Sequence, residues 1–115
     1  MQSIRDYLLT DQQAALWFVG QAAYVAKGGG VTVAIDPYLT DSVGKASPDF
    51  ARQAPSPIAP EDLDVDIFII THDHTDHLDP ETIARYPRRE TTTFVAPRFA
   101  AAKLATLGIP AARIV

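Results

Sequence analysis

The sequence predicts an α/β (α+β) fold in which a β-hairpin region is followed by alternating strands and helices. Three observations carry this expectation. Two short β-rich runs, Ala22–Lys27 and Val31–Ile35, flank the triple glycine Gly28-Gly29-Gly30. A β-branched and aromatic run, Ile67–Ile70, precedes the helix-start signal Asp79-Pro80-Glu81. A further strand-like run, Thr92–Ala96, leads into the Ala-rich, helix-like Arg98–Leu107. Strands alternating with helices in this way read as an α/β architecture.

Each element has a local reason. Ala14–Val19 is an apolar run that ends at Gly20, and Ala22–Lys27 is a second one. Runs flanking a Gly-rich turn read as a hairpin. The triple glycine is not a phosphate cradle, because it opens a strand and lacks a following Gly-Lys-Ser/Thr. Asp36-Pro37 closes the third strand. The next thirty or so residues hold Pro48, Pro55, Pro57 and Pro60 with little periodicity. Loops this long are often functional or mobile; this one is expected to flank an active site, and Pro60–Leu63 to make one helical turn. Ile67–Ile70 is the kind of run that suits a strand buried on both faces. Asp79 as N-cap, Pro80 at the first helical position and Glu81 in the first turn start a helix that Pro87 stops shortly after Tyr86. Gly108 stops the helix over Arg98–Leu107. Arg113-Ile114-Val115 looks like the opening of another strand.

Composition narrows the function classes. The 115 residues are enough for one domain and too few for two. With 47% hydrophobic and 21% charged residues the chain has the make-up of an ordinary globular protein. It has no cysteine, so disulfides and thiolate metal sites are excluded, and a reducing cytoplasm is the expected location. The net charge is −4 and the only basic doublet is Arg88-Arg89, which argues against a nucleic-acid partner. No apolar stretch is long enough to span a bilayer, so no membrane partner is expected.

Against that background, residues 69–83, IITHDHTDHLDPETI, stand out. They hold all three histidines of the chain, His72, His74 and His77, with Asp73 and Asp76 between them. After a strand ending near Thr71, alternate side chains point the same way, which brings His72 and His74 to one side. The turn toward the helix can swing Asp76 and His77 to the same region. That region lies beyond the C-terminal end of a buried strand, where ligands bind in open α/β sheets. Imidazole and carboxylate donors without sulfur suit Zn, Mn, Fe or Co. Such a metal activates water near neutral pH and polarises a carbonyl or phosphoryl oxygen.

His72-Asp73-His74-Thr75-Asp76-His77 resembles the H-x-H-x-D-H signature of the metallo-β-lactamase-fold hydrolases. Asp36 matches the first acid of that pattern. The blocks ALWFVGQAAYVAKGGGVTVAIDPYL, VDIFIITHDHTDHLD and FVAPRFAAAKLATLGIPAARIV are similar to the L-ascorbate-6-phosphate lactonase branch, in the same order. The resemblance implies that His72 and His74 bind one metal and that Asp76 and His77 bind a second, the latter two being the candidate catalytic pair. It makes Asp36 an acid that orients a ligand imidazole. Asp73 is not a ligand in the pattern and is expected to cap or brace the loop.

The resemblance also implies a four-layer αβ/βα sandwich, of which residues 1–115 are a single partial domain, the N-terminal half. The pattern's remaining ligands would come from later segments, and here no histidine follows His77 and no aspartate follows Asp79. The implied activity is opening of a lactone in a phosphorylated sugar acid by a metal-activated hydroxide, with two divalent ions, Zn or Mn, in the complete site. A small-molecule substrate such as a sugar-phosphate lactone is the expected partner. Two alternatives stand beside it: a phosphodiesterase or nuclease on the same scaffold, and an inactive fragment or half-fold without turnover. A half-fold would expose the face the other half covers, so homo-oligomer formation or poor solubility is expected.

Overall fold

In the computed structural model, which describes residues 3–115, five strands form one sheet in the order β1-β2-β3-β4-β5. Strand β1 is Ala14–Gly20, β2 is Ala23–Gly28 and β3 is Val31–Ile35. These three are antiparallel neighbours. Between β2 and β3, Gly29 and Gly30 both have positive φ (57° and 79°), the conformation a two-residue hairpin turn requires and glycine adopts without strain. Strands β4 (Ile67–Ile69) and β5 (Thr93–Val95) then add in parallel to β3. The hairpin region and the later strands are thus where the sequence places them.

The parallel half is built by crossovers. Helix α2, Pro80–Arg85, connects β4 to β5. Its cap is as the sequence predicts: an Asp79 carboxylate oxygen accepts the Glu81 N–H at 3.0 Å, and Pro80 opens the helix. Helix α3, Arg98–Thr106, follows β5 and gives way at Gly108. After a short 3-10 turn at Ala111–Arg113, Ile114 bridges Phe94 in parallel, and the Val115 N–H donates to the Phe94 carbonyl at 2.8 Å. The strand opening expected at 113–115 is therefore present from Ile114, pairing with β5.

The two faces of the sheet differ. Along one cross-strand row lie Trp17, Val25, Ala34, Phe68 and Phe94. The last four are at most 1% exposed, and they share one core with Ile83 of α2, Tyr86 at its C-terminal cap, and Ala100 and Leu104 of α3. The Phe68 ring lies 5.0 Å from Phe94 and 5.4 Å from Tyr86. On the opposite face every residue of the rows Leu16–Ala26–Val33–Ile67 and Phe18–Tyr24–Ile35–Ile69–Val95 is half-buried or exposed. Leu16 is 65% and Phe18 60% exposed.

This asymmetry corrects one expectation. The run Ile67–Ile70 is not a strand buried on both faces: Phe68 and Ile70 are buried, but Ile67 and Ile69 are only half-buried. A continuous apolar run records that both faces suit apolar cover, whereas only one of them is covered here.

The long segment after Pro37 is more structured than its composition predicts. It holds a five-residue helix α1, Ser42–Ala46, and 3-10 turns at Pro48–Phe50 and Pro60–Asp62. The Pro60 turn is the one expected. Helix α1 has no side-chain cap and is too short to be stable alone. It is held by tertiary contacts: the Val43 N–H donates to the Tyr38 hydroxyl at 3.2 Å, and Gly44 is buried against Asp41 and Ala51.

Candidate metal centre

The centre forms where β3 and β4 end side by side. The Asp36 N–H donates to the Ile69 carbonyl at 2.9 Å, which carries the parallel pairing one residue past β3. Asp36 then turns out of the strand direction with φ 47°, a left-handed conformation that Asp tolerates better than most residues. Its side chain is buried. One carboxylate oxygen, Oδ1, accepts the Thr71 N–H at 2.8 Å. The other, Oδ2, accepts the Thr71 hydroxyl at 2.6 Å and lies 2.8 Å from His77 Nδ1. Asp36 thereby joins the end of β3 to both ends of the histidine loop.

The loop folds back on itself. The N–H groups of His77 and Leu78 both donate to the His74 carbonyl, at 2.9 and 2.7 Å. Leu78 and Asp79 are buried and anchor the loop in the core. This turn gathers the imidazoles. Ring centroids of His72 and His74 are 4.6 Å apart, and those of His72 and His77 are 3.9 Å apart. Asp76 Oδ2 lies 3.7 Å from His77 Nε2. All four sequence-predicted ligand groups therefore sit in one connected cluster, half-buried or exposed. Ligand-type atoms of Asp36, His72 and His77 fall within 4.8 Å of one another.

That trio includes Asp36, which the sequence assigns an orienting role. The hydrogen bonding favours the orienting role, because both Asp36 oxygens are already taken up by Thr71 and His77. The atoms of the cluster not engaged in these hydrogen bonds include imidazole nitrogens and the Asp76 carboxylate, a sulfur-free donor set suited to a divalent ion of the Zn or Mn type. Asp73 is exposed. Its backbone carbonyl accepts Lys103 Nζ at 3.2 Å, tying the loop to α3, while its carboxylate has no hydrogen-bond partner among the described residues.

Sequence reasoning missed two residues that build the site. Thr71 links Asp36 to His72, with Oγ1 2.9 Å from His72 Nδ1. Asp79, predicted only as a helix cap, also accepts the hydroxyls of Thr40 (2.6 Å), Ser42 (2.8 Å) and Thr82 (2.6 Å). It thus clamps the segment leading into α1 against α2. Nearby, burial pushes the Tyr38 phenol above its usual pKa, and Asp41 and Asp79 add to the rise.

Residues 15–111 match the family model described as the beta-lactamase superfamily domain. The chain belongs to this family. Asp36, Thr71 and the whole His72–His77 cluster fall inside the matched region. Among solved structures, the superfamily chain is similar to an isothiocyanate hydrolase from Delia radicum gut bacteria, with a TM-score of 0.69 and 28% identity over 90% of this chain and 41% of that one. It is also similar to a metallo hydrolase from the archaeon Ignicoccus hospitalis, with a TM-score of 0.57 and 26% identity over 87% of this chain and 37% of the other. A metal-dependent hydrolase of Aeropyrum pernix is 35% identical over 66 residues, which are 56% of this chain and 22% of the relative. The superfamily chain thus spans less than half the length of each.

No helix among the described residues is long and apolar enough to cross a membrane.

Proposed function

We propose that this chain carries the metal-binding loop of a metal-dependent hydrolase. His72 and His74 hold one divalent ion and Asp76 and His77 a second, with Asp36 orienting His77. The observation that carries this reading is the adjacency of the four groups, with His72 beside both His74 and His77, Asp76 beside His77, and His77 braced by a buried carboxylate. Metal-bound histidines characteristically pass their other ring nitrogen to such a partner. Zn or Mn held there would supply Lewis acidity and water activation near neutral pH. The chain's own residues fix imidazole direction, through Asp36, and hold the loop to the sheet, through Leu78 and Asp79.

The substrate reading is a small molecule with an electrophilic carbon. A lactone of a phosphorylated sugar acid is favoured by the sequence blocks that resemble the lactonase branch. An isothiocyanate is the second reading, favoured by the solved hydrolase that covers 90% of this chain. Both present a carbon open to attack by activated water. A phosphodiester is the remaining alternative, since paired metals also clamp a phosphoryl centre. The chain spans less than half the length of these relatives, and we assign turnover to a protein of the relatives' length. A cytoplasmic site of action belongs to the same proposal and rests on composition.

The test is hydrolysis by the parent protein, loaded with Zn or with Mn, of a sugar-phosphate lactone, an aryl isothiocyanate and an aryl phosphodiester. Turnover of the lactone above the other two supports the first reading. Turnover of the phosphodiester with neither carbon substrate touched would overturn both carbon-centred readings.

A further inference from the structure

The hydroxyl of Thr71 has one proton and two neighbours. Asp36 Oδ2 lies 2.6 Å away and His72 Nδ1 lies 2.9 Å away. A carboxylate can only accept, and two oxygens at 2.6 Å need a proton between them. The Thr71 proton is therefore committed to Asp36. The Thr71 oxygen is left as an acceptor, and its partner, His72 Nδ1, must carry the proton of that contact. His77 meets the same carboxylate directly: its Nδ1 lies 2.8 Å from Asp36 Oδ2 and must donate to it. In both rings the second nitrogen, Nε2, is then the one with a free lone pair.

We propose that Thr71 is a positioning residue that passes the acceptor character of Asp36 on to His72. One buried carboxylate thereby fixes two imidazoles, His77 by contact and His72 through a hydroxyl, and leaves Nε2 of both as the nitrogen with a lone pair to offer a metal. The inference rests on the metal-centre reading for its consequence, but the hydrogen-bond relay stands without any ion. Three features make it more than a chance contact. The backbone N–H of Thr71 is held by the other oxygen of the same carboxylate, so the hydroxyl cannot drift from it. Thr71 and His72 are adjacent, so fixing one restricts the other. Asp36 is itself pinned by its N–H on Ile69 and its carbonyl on the Tyr38 N–H.

Valine has the shape of threonine without the hydroxyl, and serine keeps the hydroxyl without the methyl. The experiment compares Thr71→Val and Thr71→Ser with the native chain. The first readout is nitrogen-15 NMR of the imidazoles in the metal-free chain, in alkaline buffer. The expected result is protonated Nδ1 on both His72 and His77 in the native and Ser chains. In the Val chain His72 should lose that preference while His77 keeps it. The second readout is Zn affinity by titration calorimetry, expected to fall about 10–100-fold in the Val chain and to recover in the Ser chain. A native His72 protonated on Nε2, or a Val variant with unchanged His72 tautomer, would overturn the relay. If the tautomers behave as expected but the native chain takes up neither Zn nor Mn, the relay stands and the metal-centre reading falls instead.

Discussion

Asp36 holds its carboxylate in the core and its backbone at φ 47°, and it spends both oxygens on the loop that carries the histidines. Asn at this position would tolerate the left-handed backbone but would turn a donor toward Thr71 or His77. Asp36→Asn is expected to lower stability by about 1–3 kcal/mol, because buried donors lose their acceptor, as read from urea unfolding of the metal-free chain. It should weaken Zn binding by about 10–100-fold. Asp73→Ala makes the contrasting case. That carboxylate is exposed and unbonded, so the variant should unfold at the native urea concentration and titrate Zn as the native chain does; a lost affinity would make Asp73 a ligand. At this scale the sequence is informative where partners are contiguous. The spacing of His72, His74, Asp76 and His77 displays four candidate ligands in six residues. Thr71 was not legible, because its meaning comes from Asp36, 35 residues away.

Among the elements, those with their own local signals formed where those signals lie. Helix α2 has its Asp79 cap and Pro80 start, and the hairpin has its glycines. Helix α1 has neither cap nor periodicity, and it exists because of what surrounds it. A Cβ on Gly44 would sit 2.4 Å from Asp41 Oδ1 and 2.7 Å from the Ala51 Cα. Although alanine is the better helix former, Gly44→Ala is expected to cost about 1–3 kcal/mol through overpacking, visible as a lower urea midpoint. A raised midpoint would mean that α1 is not seated against Ala51. Asp79→Ala removes a cap worth about 1 kcal/mol and strands the hydroxyls of Thr40 and Thr82. Hydrogen exchange should quicken at the amide of Leu39, which donates to Thr82 Oγ1 at 3.1 Å, and at Ser42, which donates to Thr40 Oγ1 at 3.2 Å. Unchanged exchange there would show that Asp79 serves α2 alone.

The molecule as a whole is a sheet with α2 and α3 packed on one face and half-buried or exposed apolar side chains on the other. Leu16 and Phe18 stand two residues apart on β1, at the edge of that face, with exposed Tyr24 and Val95 in Phe18's row. Patches of this kind drive association. Sedimentation of the chain alone is expected to show concentration-dependent self-association, reduced by Leu16→Lys with Phe18→Lys. A strictly monomeric chain across the range would contradict this. The overall class could be read from the alternation of elements. That β4 is bare on one side could not, because an apolar run describes what a strand is suited to bury and not what is there to cover it. The central claim is that the His72–His77 loop, braced by Asp36, holds a divalent ion. Metal per chain, by elemental analysis after Zn or Mn loading and removal of excess, tests it most directly on the native chain and on His74→Ala. The account predicts retained metal in the native chain and its loss from the variant. A native chain that emerges empty, or a variant that retains as much metal as the native chain, would contradict it.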